Sequence, residues 1–166
     1  MIEMKVACIA INAASRSPMI LRKDSSERRA LPIYIGQDQA DSIIKALEGR
    51  RPSRPLTHDL IANLLCDCNI ELERVIIHSL TDEIFYAVLC IDVSGVKKEI
   101  DCRPSDAVAV AIRTDSPIWV LEEVVADASI PVDREADNAE RAAFKKFISD
   151  LSPDKLIKKG GYKEQT

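Results

Sequence analysis

The chain has 166 residues, 46% of them hydrophobic and 30% charged, and a net charge of −4. That is the balance of a globular domain with a real core, and no apolar run approaches the roughly 20 residues that span a bilayer. The acidic balance gives no global attraction for nucleic acid, and aromatic residues at 4% argue against an extended stacking platform, so a nucleic-acid site here must be local.

Residues 2–13 alternate as a strand, with Met4, Val6, Cys8 and Ala10 on one side; with Glu3 among them they do not read as a signal peptide. SRSP (Ser15–Pro18) signals a turn, MILRKD a second strand and ERRALPIYIG (Glu27–Gly36) a third. Ala40, Ile43, Ile44 and Leu47 then follow helical spacing. GRRPSRP (Gly49–Pro55) breaks that helix. A second helix is expected from Thr57, with Leu60, Ile61, Leu64, Leu65 and Cys68 as its buried stripe. Strands return in LERVIIHSL, EIFYAVLCIDV and VKKEID, joined by tight turns at Thr81–Asp82 and Ser94–Gly95. The apolar helix AVAVAIR and the short strand SPIWV follow, and Glu122 and Glu123 open another helix.

These elements predict an α+β fold, one compact domain of mixed and antiparallel strands interleaved with helices. Three strands leading into a helix occur twice, an element order compatible with an internal repeat. Residues 133–157 carry an amphipathic stripe (Ala139, Ala142, Ala143, Phe144, Phe147, Ile148) and are expected to be a C-terminal helical extension, with 158–166 a flexible tail. Five scattered cysteines without a CxxC pair read as buried free thiols of a reducing cytoplasm. Basic residues cluster as Arg22, Lys23, Arg28 and Arg29 and as Arg50, Arg51 and Arg54.

Two polar helix starts could carry chemistry. In RPLTHD (Arg54–Asp59), Thr57 suits an N-cap and Asp59 the first turn, where a carboxylate complements the helix dipole. Capping accounts for neither Arg54 nor His58, and a histidine there can serve as an acid or base. In DCRPSD (Asp101–Asp106), Pro104 suits the first helical position. Asp101 and Asp106 could hold Mg²⁺ or Mn²⁺ while Arg103 pairs with a phosphate through its planar fork. The competing account is a plain helix start, with Arg103 paired to Asp101. His78, inside a strand, reads as structural.

LPIYIG, RPLTHD, EIFYA, DCRPSDA and SPIWV, in this order, resemble the bifunctional nuclease family of bacteria and plants, and the whole chain resembles a cyanobacterial type of member. The resemblance spans residues 1–132. It implies an α+β fold, self-association as a homodimer, and a nuclease of broad specificity that hydrolyses RNA or DNA with a divalent metal. Its polar signature falls on His58, Asp59, Asp101 and Asp106 as catalytic residues, with Asp101 and Asp106 holding the metal. Arg54, Thr57, Arg103 and Ser105 fall to the substrate. Gln39 departs from a glutamate that many members carry. The alternative is a non-catalytic module that binds a ligand or nucleic acid and acts through a protein partner.

Overall fold

The computed structural model describes residues 1–11, 17–24, 29–50 and 52–131. All lie in one compact unit, Met1–Val132. The C-terminal extension, the tail, Arg28 and Arg51 fall outside the described residues.

The fold is α+β. β1 (Ile2–Ile11), β2 (Pro18–Asp24) and β3 (Arg29–Tyr34) form an antiparallel meander that leads into α1 (Gln37–Leu47). After α2 (Thr57–Asp67), a second meander, β4 (Ile70–Thr81), β5 (Ile84–Val93) and β6 (Val96–Cys102), leads into α3 (Pro104–Thr114). β7 (Ile118–Val120), α4 (Glu122–Ala128) and β8 (Ile130–Pro131) follow. The strands join in the order β6-β5-β4-β7-β1-β2-β3-β8, so short β7 unites the two meanders. It runs parallel to β4 and antiparallel to β1.

Both hairpins of the second meander turn through paired positive φ values, at Asp82 (51°) and Glu83 (64°) and at Ser94 (54°) and Gly95 (84°). Two such residues match the right-handed strand twist. Asp92 Oδ1 accepts the Gly95 N–H at 2.6 Å and holds the second turn.

α3 is the central helix. Ala107 to Ala111 are all at most 1% exposed, as expected of a helix apolar on every side. It packs against α1, α2, β4 and β5. Pro104 occupies its first turn, where a missing N–H leaves no helix bond unmade. Asp115, with φ 53°, ends it.

α2 departs from its expected face. Leu65 is buried, but Leu60 and Leu64 are 61% and 57% exposed, Cys68 is exposed, and the inward residue near the helix start is His58. The polar contacts described below fix this rotation. Leu56, not Thr57, is the N-cap; Thr57 is exposed in the first turn. The thiols also divide: Cys90 is buried, Cys8 and Cys102 are half-buried, and Cys66 and Cys68 are exposed, all five free. No helix among the described residues is long and apolar enough to cross a membrane.

Candidate functional site

The two polar helix starts, 48 residues apart, meet through His58. Its Nε2 lies 3.0 Å from Asp106 Oδ1 and its Nδ1 2.8 Å from Ser42 Oγ. Arg103 grips the same aspartate with two donors, Nε to Oδ2 at 2.6 Å and Nη2 to Oδ1 at 3.1 Å. On the far side, Arg113 Nη2 donates to Ser42 Oγ (3.1 Å) and to the Ser42 carbonyl (3.2 Å). Its Nη1 reaches the Ala109 carbonyl at 2.9 Å and its Nε reaches Asp59 Oδ1 at 2.6 Å. Asp59 Oδ2 then accepts the Leu56 N–H at 2.8 Å.

One polar chain, Arg103–Asp106–His58–Ser42–Arg113–Asp59, thus ties α1, α2 and α3 together. Its proton directions follow from donor inventory. Arginine can only donate, so the Ser42 hydroxyl accepts from Arg113 and is free to donate to His58 Nδ1. The imidazole then carries its proton on Nε2 and donates to Asp106.

The charges respond to this pairing. Burial alone would push the Asp106 carboxyl up, but the hydrogen bonds and charges of Arg103 and His58 outweigh it and hold it below the usual carboxylate range. Burial likewise opposes ionisation at Asp59, and Arg113 together with the Leu56 N–H overrides it downward. Neighbouring Cys102 goes the other way, pushed up to about 11 by burial and then by the charges of Asp101 and Asp106. Its thiol stays protonated near neutral pH and is a poor nucleophile.

The order Ser42–His58–Asp106 superficially matches a hydrolase triad, but the placement differs. Ser42 is 5% and His58 8% exposed, and the serine oxygen is already taken by Arg113. A nucleophile must reach its substrate from a cleft. This arrangement fits a brace between helices.

The exposed end of the brace opens on a cleft of about 860 Å³ lined by Arg103, Pro104, Ser105, Gly36, Gln39, Tyr34, Ile84 and others. The first turns of α1 and α3 both border it, and neither helix has a side-chain cap. Their leading N–H groups are the ones a helix leaves without partners, a natural site for an anion. The Arg103 side chain is 68% exposed and keeps three N–H donors beyond those given to Asp106. At the other end of the brace, Asp59 and Arg113 border a separate hollow of about 400 Å³ with Arg50, Pro52 and Pro55.

Of the residues singled out in the sequence, His58, Asp59, Arg103 and Asp106 belong to the brace and Ser105 to the cleft. Arg54 and Thr57 are exposed outside both. Asp101 is exposed on β6 and outside the brace, and Arg103 pairs with Asp106 where Asp101 was expected. Asp106 has both oxygens occupied by Arg103 and His58, so the expected Asp101–Asp106 pair does not offer a divalent metal an open ligand set. Among the described residues no three His, Cys, Asp or Glu side chains gather as a metal group. Ser42 and Arg113 were not foreseen; an arginine closing an otherwise apolar helix was the available signal.

A three-helix layer braced by a chain of hydrogen bonds and ion pairs on a mixed sheet, with an anion-ready cleft at two helix starts, defines the class structurally. The signature of the bifunctional nuclease domain matches residues 19–133. An uncharacterized protein of Mycobacterium tuberculosis is 37% identical over 160 residues, covering 92% of this chain and 96% of its own length. Bifunctional nuclease 2 of Arabidopsis thaliana is 25% identical over 112 residues, 66% of this chain and 34% of the plant protein. Bifunctional nuclease 1 of Oryza sativa subsp. japonica is 22% identical over 124 residues, 73% and 38% respectively. The chain belongs to the bifunctional nuclease domain family.

Proposed function

We propose that this chain binds nucleic acid at the cleft between the starts of α1 and α3 and hydrolyses its phosphodiester bonds. The observation that carries the reading is the convergence of Arg103, Ser105 and two uncapped helix N-termini on one cleft. Arg103 and Ser105 contact phosphate. Asp106 and His58 act behind them, because the doubly bonded carboxylate sets the plane of the guanidinium. The names of the plant relatives supply the reaction class.

The test is incubation of the purified chain with labelled RNA and single-stranded DNA, with Mg²⁺, with Mn²⁺ and with EDTA. Arg103→Ala is expected to lower kcat/KM at least ten-fold, and His58→Ala to lower it through the position of Arg103. Cleavage unchanged in both variants contradicts the site. The same assay judges the metal: EDTA-sensitive turnover lost in Asp101→Ala supports an ion there, and EDTA-resistant turnover rules it out.

A second reading, ligand binding without turnover, is favoured by one observation. Both His58 nitrogens and both Asp106 oxygens are engaged by protein groups, which leaves no free general base in the brace. Oligonucleotide binding without cleavage under every metal condition selects it.

A further inference from the structure

The lining of the 860 Å³ cleft divides by chemistry in a way that phosphate binding alone does not explain. Arg103, Pro104, Ser105, Gly36 and Gln39 form the helix-start portion. Ile33, Tyr34, Ile35, Ile84 and Phe85, from the end of β3 and the start of β5, form an apolar portion. Two of these present much of their surface to solvent: Tyr34 is 58% and Ile84 57% exposed. They follow from local structure, since β3 ends at Tyr34 and the Asp82–Glu83 turn thrusts Ile84 to the rim.

The helix-start portion carries a feature of its own that points to a ligand. Ser105 is only 8% exposed, lines the cleft, and its hydroxyl makes no hydrogen bond to any described residue. The residue is buried while its hydroxyl still reaches the solvent of the cleft, so that oxygen is left for a group entering the cleft. Its backbone N–H, in the first turn of α3, is also without a carbonyl, so one residue presents two donors beside the guanidinium of Arg103.

We infer that the cleft is a one-nucleotide subsite for single-stranded nucleic acid, with the phosphate on Arg103 and Ser105 and the unstacked base against Tyr34 and Ile84. The inference rests on the nucleic-acid reading above and deepens it. A duplex keeps its bases stacked inward and offers mainly backbone and groove edges, for which an exposed tyrosine and isoleucine are of little use. A single strand can turn one base out onto an aromatic ring. The charge pattern agrees. Among the described lining residues Arg103 is the one cation and Glu83 an opposing acid, a set that suits one phosphate rather than a track of them.

The experiment is fluorescence anisotropy of the full chain with labelled ten-residue oligouridylate or oligothymidylate, free and annealed to its complement, in EDTA, with each oligonucleotide checked on a gel to be intact after the titration. The single strand is expected to bind at least ten-fold tighter than the duplex. Tyr34→Ala is expected to weaken binding roughly five- to one-hundred-fold, the range for loss of one base stack, and Tyr34→Phe to stay near wild type. Ser105→Ala is expected to weaken binding several-fold without lowering Tm, because the hydroxyl it removes has no partner among the described residues. With one phosphate neutralised, log K should fall against log salt with a slope of about −0.7.

Equal affinity for the duplex overturns the inference, as does unchanged binding by folded Tyr34→Ala. Cleavage assays on the same samples separate this from the parent reading. Cleavage of both substrates with equal kcat/KM, insensitive to Tyr34→Ala, removes the subsite and leaves the nuclease. Tyr34-dependent binding without cleavage keeps the subsite and removes hydrolysis. Neither binding nor cleavage removes both.

Discussion

Arg113 has a side chain only 9% exposed and satisfies three different residues with its planar fork. Arg113→Ala would take the counter-charge from Asp59 and a donor from Ser42 in a largely buried setting, and is expected to cost about 3–5 kcal/mol in urea denaturation. Arg113→Lys is expected to recover little, since an ammonium cannot reproduce the fork. The acid limb of stability belongs to the same residues. Asp59 and Asp106 both sit below their unfolded values, so their contribution is complete above the ordinary carboxylate range and is lost as pH falls through their folded values. Urea midpoints are therefore expected to be level near neutrality and to drop below about pH 4, with a shallower drop in Asp106→Asn. Cys102 gives the opposite limb. Raised to about 11, its thiol contributes stability that is full below its unfolded value and is lost as pH climbs through the folded one.

The instructive element is α2. Helical spacing in its sequence marks Leu60, Leu64 and Leu65 as one apolar stripe, yet only Leu65 is buried. Turning Leu60 and Leu64 inward would bury more apolar area, roughly 1.5–3 kcal/mol for each side chain. It would also pull His58 from Ser42 and Asp106, and Asp59 from Arg113, stranding several buried polar groups at about 1–3 kcal/mol each. The polar set prevails because it fails together, whereas an exposed leucine is merely tolerated. Leu65→Ala is accordingly expected to destabilise by about 2–4 kcal/mol and Leu60→Ala or Leu64→Ala by less than about 0.5, read from thermal or urea melts. The strands and α3 were legible from sequence because period-two alternation, turn residues and Pro104 act locally. The rotation of α2 was not, because its deciding partners lie on α1 and α3.

At the scale of the molecule, the sheet order places β7 between the two meanders, so the unit closes only after residue 118 has been laid down. β8 then seals the free edge of β3 through the Arg29–Pro131 and Ala30–Ile130 pairs. Every described element lies within Met1–Val132. A chain ending at Val132 is expected to unfold in one cooperative transition, with near- and far-ultraviolet circular dichroism coinciding. Separate transitions for the two probes would show that this unit is incomplete.

The sequence by itself determined the α+β class, the succession of strands and helices, the family, and the two polar helix starts, because each depends on near neighbours or on an ordered set of motifs. Tertiary structure decided that the two starts share His58, that Arg103 pairs with Asp106 and not Asp101, and that Ser42 and Arg113 complete the brace. It also decided which groups are exposed in the cleft. Apart from the Arg103–Asp106 pair, three residues apart, the brace is made by contacts spanning from 16 to 71 residues along the chain. No local pattern encodes such distances; they are set when α1, α2 and α3 pack and every buried donor must find an acceptor.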